Sequence, residues 1–363
     1  MGTRIGVISG GGDCPGINPV IRAVALAARG RGWQTIGLLG GFDGLIEPIA
    51  SRPILDAELD GLLTRGGTIL GSANRGAFAA KVGGGETRQL PAALLDEVRD
   101  SVRTLDLEGL VVIGGDGTMS IALQLHAHGI PVVGVPKTID NDLDGTLQTF
   151  GFDSAVAVAT EAVDRLQTTA ESHRRTIVLE VMGRHAGWIA LWAGIAGGAD
   201  AILIPEIPFR HERLAASLAA KAAAGKPHAI VVAAEGARVE GGDSVVLAAP
   251  GEGEVRLGGI GAVVAAELEA RTGRESRVVV LGHLQRGGSP THFDRALCTA
   301  FGAHAVELIA GGRMGELVAY TGRGIGSVPI SVAVERLRTV PLDAALLTTA
   351  RAMGIAFGDG PAA

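Results

Sequence analysis

Aromatic side chains make up only 3% of the 363 residues, and tyrosine occurs once, so the core has to be built from Ala, Val, Ile and Leu. That composition suits buried parallel strands covered by Ala-rich helices. Cysteine is nearly absent: Cys14 falls in a glycine-rich turn and Cys298 in a predicted helix, and neither has a Cys or His neighbour at metal-ligand spacing. A disulfide framework is therefore not expected. Positive charge is not in excess, since the formal net charge is -6, so no basic surface is available to hold a polyanion. Nucleic acid is not an expected partner. Long apolar runs are missing too. The most apolar one, "AGWIALWAGIAGGA" from Ala186 to Ala199, falls short of the ~18 residues that cross a bilayer, and "MGTRIGVISG" has no signal-peptide apolar region. The expectation is a cytoplasmic protein with no membrane attachment.

What the chain has in quantity is glycine. Its 56 glycines are about twice the average share, and they cluster between apolar runs without a fixed repeat, as glycine does in tight turns. Strand-like runs recur as "RIGVIS", "QTIGLLG", "GLVVIGG", "PVVGVP", "RTIVLEV", "AILIP", "HAIVVAAE" and "SRVVVLGH", with helical periodicity between most of them. The expected fold class is α/β, two Rossmann-like lobes with mainly parallel sheets flanked by helices. A crossing between lobes is expected near Phe150 to Asp153, giving 1–151 plus about 285–335 as one lobe and 152–284 plus about 336–363 as the other. The Gly-rich stretch Gly236 to Gly259 reads as a long surface loop or hairpin. Ligands bind such sheets beyond the carboxyl ends of the strands, so the informative residues should follow the strands.

Three glycine turns do so. In "VISGGGDCPGINPVIRAV" (Val7 to Val24) the N–H groups of Gly10, Gly11 and Gly12 are read as open to a phosphate, with a helix N-terminus following; an ordinary tight turn fits this stretch equally well. In "VVIGGDGTMS" (Val111 to Ser120) the turn carries Asp116, which would repel a bare phosphate but can hold Mg²⁺ that the phosphate also binds. Gly117 leaves open space there, and Thr118 can cap the next helix or bond a phosphate oxygen. In "GVPKTIDNDLDGT" (Gly134 to Thr146), an extended backbone over 138–142 would point Thr138, Asp140 and Asp142 to one side. One carboxylate could then take a proton from a substrate hydroxyl while another holds the metal, with Lys137 facing phosphate charge. A solvated Asp/Asn-rich turn is the plainer alternative.

Cations gather after two later strands. "SHRRTIVLEVMGRHAGW" (Ser172 to Trp188) supplies Arg184, and "SRVVVLGHLQRGG" (Ser276 to Gly288) supplies His283 and Arg286. Side chains of this kind recognise phosphate through charge-assisted hydrogen bonds, although any one of them could be a surface charge. Glu235, closing "IVVAAEG", could accept from sugar hydroxyls or cap a turn.

Taken in order, "GGGDCPGINPVIR", "GGTILGS", "GGDGT", "PKTIDND", "TAESHRR", "EVMGRHAGW" and "LGHLQRGGSP" resemble the 6-phosphofructokinase family, in its bacterial form, from Arg4 to about Leu342. The resemblance implies phosphoryl transfer to the 1-hydroxyl of fructose 6-phosphate. It makes Asp140 the base, with Thr138, Arg184 and Lys137 near the transferring group, and places Asp116 and Asp142 on Mg²⁺. Met182, Gly183, Glu235, His283 and Arg286 would line the sugar-phosphate pocket. Arg175 and Arg277 would reach into a neighbouring subunit's pocket, which implies a homo-oligomer, usually a tetramer. Gly11, Gly117 and Thr118, with Asn74 and Arg75, would hold the phosphoryl donor. By the same resemblance the first lobe takes donor and metal and the second takes the sugar phosphate.

The donor signature is a hybrid. Pyrophosphate-using members of the family carry Asp where this chain has Gly117, and they share its Lys137. The open glycine favours ATP, with pyrophosphate as the alternative. Against a simple match, the familiar "GSAR" is here "GSANR", and Ile121 stands where a small residue often faces the nucleoside. Control by ADP and phosphoenolpyruvate is expected to be weak, because the partner expected one turn after Arg22 is Leu26, and Pro227 replaces a lysine in "GKPHA". An NAD or lipid kinase would share "GGDGT" but would not need "TIDND". A non-catalytic nucleotide-binding subunit would not need intact acids at 116 and 140.

Overall fold

The computed structural model describes residues 2–73, 77–78, 81–82, 86–243, 245 and 257–360. Its strands, in chain order, are β1 (Arg4–Ser9), β2 (Gln34–Leu38), β3 (Ser51–Pro53), β4 (Lys81–Val82), β5 (Glu86–Thr87), β6 (Leu107–Gly114), β7 (Val132–Pro136), β8 (Thr176–Val181), β9 (Ala201–Leu203), β10 (Ala229–Ala234), β11 (Ser276–Val280), β12 (Glu316–Tyr320) and β13 (Ile325–Pro329). The chain divides into two compact units, one of residues 1–154 and 286–337, the other of 155–285 and 338–363.

The first unit is built on a seven-stranded sheet in the order β13-β12-β7-β6-β1-β2-β3. Its middle is parallel, and each edge is closed by one antiparallel strand, β3 on β2 and β13 on β12. Apart from Arg4, Ser9 and the exposed Glu108, β1, β6 and β7 are apolar and almost wholly buried, as expected of strands covered on both faces. Ile8, Leu110, Val112 and Val132 pack with Met119 and Leu125 of the helix Asp116–Ala127. Ile121 lies in this same cluster and faces the core, so it is not placed as a wall for a nucleoside.

The second unit holds a four-stranded sheet, β11-β8-β10-β9, with every pair parallel. Near the carboxyl end of β8 stands an acidic residue within an otherwise apolar run. Glu180 is 3% exposed, and its carboxylate accepts from the backbone N–H of Gly259 and Gly261, the latter at 2.8 Å. That pair of bonds anchors the start of the helix Ile260–Thr272 and satisfies donors a helix terminus leaves open. Most of the Gly236–Gly259 stretch read as a loop lies outside the described residues.

The α/β class with mainly parallel sheets is what the sequence implies, and all eight strand-like runs are strands. The hairpin β12-β13 was not anticipated. Its second strand, "IGSVP", is half-exposed along most of its length, so it carries no continuous apolar signal. Among the described residues no helix is long and apolar enough to cross a membrane.

Candidate active site

In the first unit, three turns converge at the carboxyl ends of β1, β6 and β7. The turn after β1 differs from its reading in the sequence. Gly10 N–H donates to Ile113 O at 2.9 Å and Gly11 N–H to Ala73 O at 3.2 Å, so both are used within the fold and are not open to a phosphate. The following helix starts only at Ile17. Two cations instead close on the carbonyl side of this turn: Lys137 Nζ donates to Gly12 O, and Arg286 Nη1 to Asp13 O at 3.3 Å. A Cβ at Gly12 would come within 2.9 Å of that guanidinium. Burial holds the Lys137 ammonium below its ordinary range, helped by Arg286 and opposed by the nearby Cys14, Asp13 and Asp116.

The turn after β6 opens the helix Asp116–Ala127. Asp116 is its first residue, and its Oδ1 accepts the Gly117 N–H at 2.6 Å. The N-cap of that helix is Gly115, not Thr118, which is buried beneath both glycine turns. A Cβ at Gly114 would lie 2.2 Å from Thr118 Cβ, and one at Gly10 would lie 2.8 Å from Thr118 Oγ1. The threonine read as a cap or phosphate ligand is therefore what requires glycine at both positions. Gly117 is the reverse case, since a Cβ there meets nothing within 4 Å.

After β7 the backbone does not stay extended. Ile139 and Asp140 turn, and Asn141 takes φ +53°, so period-two alternation is not what brings the acids together. The Thr138 hydroxyl does that: it accepts the Asp140 N–H at 3.1 Å and bonds the carboxyl of Asp142. Burial pushes the Asp142 carboxyl up to about 7, and the charges of Asp140 and Asp116 add to the effect against the Thr138 bond. Asp144, the third acid of this stretch, pairs with Arg336.

Among the described residues no group of three His, Cys, Asp or Glu side chains is arranged to enclose a metal. Asp142 nonetheless feels the carboxylates of Asp140 and Asp116, an excess of partly buried negative charge that a cation would balance. Such a site fits Mg²⁺, which takes one or two carboxylates and leaves its other positions to water and phosphate. Asn74 and Arg75 lie outside the described residues.

In the second unit, Met182, Gly183, Arg184 and Glu235 meet at the carboxyl ends of β8 and β10. Gly236 N–H donates to Gly183 O at 3.1 Å, and the two backbones are so close that a Cβ at Gly236 would stand 2.0 Å from Arg184 O. Met182 N–H points to Oε1 of the fully buried Gln285 at 3.4 Å. Sequence reasoning passed over Gln285, although it sits inside the quoted "LGHLQRGG". His283 is exposed on the turn after β11. Arg175 and Arg277 lie elsewhere. They stand at the opening of β8 and β11, a strand length of roughly 15–25 Å from Met182 at ~3.3 Å per residue. Both bond one carboxylate that the sequence reading missed, Glu275, with Arg175 Nε at 2.5 Å from Oε2 and Arg277 on Oε1. Their hydrogen bonds and charge keep the Glu275 carboxyl below the usual range.

A family model described as Phosphofructokinase matches residues 4–309 of this chain. A relative from Chloroflexus aurantiacus named ATP-dependent 6-phosphofructokinase is 52% identical, over 98% of this chain and 98% of its own. One from Amycolatopsis mediterranei, named pyrophosphate–fructose 6-phosphate 1-phosphotransferase, is 48% identical over 94% of this chain and 97% of its own. Among solved structures, phosphofructokinase from Saccharomyces cerevisiae matches with a TM-score of 0.79 at 28% identity, covering 92% of this chain and 45% of that longer one.

Proposed function

Because this chain belongs to the phosphofructokinase family, we propose that it transfers the γ-phosphoryl group of ATP to the 1-hydroxyl of fructose 6-phosphate, giving fructose 1,6-bisphosphate as in glycolysis. The observation that carries this reading is the turn after β7, where one threonine hydroxyl ties the backbone of Asp140 to the carboxyl of Asp142, with Asp116 close enough to raise the latter. Asp140 takes the proton from the sugar hydroxyl as its oxygen bonds the γ-phosphorus and the bond from that phosphorus to the bridging oxygen breaks, ADP leaving. Asp142 and Asp116 would hold Mg²⁺, which when bound neutralises charge on the transferring phosphoryl group. Thr138 keeps Asp140 and Asp142 in register.

The first unit is the donor half in this reading, with ATP admitted by the open space at Gly117. The second is the sugar-phosphate half, with Met182, Gly183, Arg184, Glu235 and His283. Arg286, bonded to the first glycine turn, is in place to face phosphate on the donor side. Arg175 and Arg277 stand a strand length from Met182 in their own unit, which supports their service to a neighbouring copy in a homotetramer of the cytoplasm. The alternative donor is pyrophosphate. Favouring it are the position of Lys137 on the first glycine turn and the 48% identical relative whose name specifies pyrophosphate.

The acceptor is tested by supplying ATP and Mg²⁺ with fructose 6-phosphate, sedoheptulose 7-phosphate or NAD in turn and identifying the product. The bisphosphate of fructose is expected to form fastest; phosphorylation of NAD in its place would return the chain to another kinase class.

Regulation follows from one buried carboxylate. Asp200 is 2% exposed and binds Lys226 at 2.7 Å and Lys221 at 3.2 Å, which holds the lysine of "GKPHA" inside its own unit. Fructose 6-phosphate saturation is therefore expected to be hyperbolic. ADP and phosphoenolpyruvate should move its half-saturation by less than about 2-fold, below the roughly 5-fold or more of allosteric coupling. Sigmoidal curves relieved by ADP would contradict this.

A further inference from the structure

The turn bearing Asp140 and Asp142 is tied down by two residues with no proposed contact to substrate. Asn141 is 3% exposed and sits at φ +53°, in the left-handed region that L side chains rarely adopt and that Asn tolerates better than most. Its Oδ1 accepts the N–H of Thr149 at 3.0 Å and lies 3.4 Å from that residue's hydroxyl. Thr149 is fully buried and donates its hydroxyl to Thr138 O at 2.6 Å. The turn is thus held at both ends, at 138 through the carbonyl and at 141 through the side-chain amide. Beside these bonds Lys137 and Phe150 form a parallel bridge, so residues 138–149 make a loop closed at its neck.

These bonds bear on chemistry because of what hangs from them. Thr138 receives the Asp140 N–H and bonds the Asp142 carboxyl, so any rotation between 138 and 141 shifts both acids together. A backbone at 141 that lost these bonds would carry the cost of its positive φ with less to offset it, and negative φ would open the turn. A misplacement of about 1 Å at a reacting group can cost about 10²-fold in rate.

We infer that Asn141 and Thr149 are positioning residues for the phosphoryl-transfer step, a latch that holds the 138–142 turn in a backbone conformation it would not keep alone. This rests on the function proposed above. The contribution is to kcat, since the latch fixes where the base and the metal ligand stand and binds neither the sugar nor the nucleotide.

Steady-state kinetics of the full chain test it, with melting temperature measured alongside. Thr149→Val removes the hydroxyl while keeping shape and backbone N–H; kcat should fall about 10- to 100-fold with both KM values within about 3-fold of wild type. Thr149→Ser, which restores the hydroxyl, should recover kcat to within about 3-fold. Asn141→Gly accepts positive φ freely but offers Thr149 no acceptor, so it should lose kcat to a similar degree despite the relieved backbone. Wild-type kcat in Thr149→Val or in Asn141→Gly would overturn the latch. So would a loss that follows melting temperature and is not rescued by serine, which would make Thr149 structural only. If Thr149→Val does not fold, Asn141→Gly decides. A wild-type enzyme inactive on fructose 6-phosphate would instead overturn the functional reading, so the two failures are distinct.

Discussion

Asp140→Asn is expected to lower kcat for fructose 6-phosphate phosphorylation by about 10³-fold, within the 10²–10⁴ range of general-base catalysis, with melting temperature within a few degrees of wild type. The substitution conserves shape. What Asp140 gives to the turn is its backbone N–H, donated to Thr138 Oγ1 at 3.1 Å, and asparagine retains it. What is lost is the only acceptor at that position able to take a proton from an alcohol. Asp142 is not free to substitute, because in this reading its carboxylate is engaged with Mg²⁺. Asp142→Asn should show a different signature, a raised Mg²⁺ requirement with a smaller loss at saturating metal. Steady-state rates over a Mg²⁺ series separate the two. An Asp140→Asn enzyme that keeps more than about a tenth of wild-type turnover would remove Asp140 from the role of base.

Gly117→Asp is expected to lower kcat/KM for ATP by at least about 10²-fold, since like charges brought together cost several kcal/mol. The position is open, with no atom within 4 Å of a built Cβ, and its backbone is the second residue of a helix, so an aspartate side chain should be tolerated by the fold. Its carboxylate would then stand next to Asp116, in the space the reading gives to the α-phosphate of ATP. Pyrophosphate has no such group. Turnover with pyrophosphate should therefore fall less than turnover with ATP, and the ratio of the two kcat/KM values reports the donor role of Gly117 directly. An unchanged ratio would mean that this glycine does not face the nucleotide.

The strands that carry the site were legible because each is an apolar run ended by glycine or proline, and Asp116, Asp140, Asp142, Arg184, Glu235, His283 and Arg286 do follow strand ends, whereas Arg175 and Arg277 stand at strand openings. Local conformation was less so. The spacing of Thr138, Asp140 and Asp142 suggested an extended segment, whereas Asn141 turns the chain and a shared hydroxyl gathers the acids. Asn accepts a positive φ more readily than most residues but does not require one; the bonds to Thr149, eight residues on, hold it there. Thr118 was read from its chemistry as a ligand, but the absence of side chains at Gly10 and Gly114 is what gives it a buried place. The same limit holds for long-range partners. Glu275 joining Arg175 to Arg277 and Asp200 holding Lys226 depend on strands coming side by side.

The most direct test of the account is formation of fructose 1,6-bisphosphate by the purified protein with fructose 6-phosphate and Mg²⁺, with ATP in one series and pyrophosphate in the other. The account predicts turnover with ATP and little or none with pyrophosphate, the open position at Gly117 deciding the donor. Turnover with pyrophosphate alone, running in both directions, would contradict it and give that decision to Lys137.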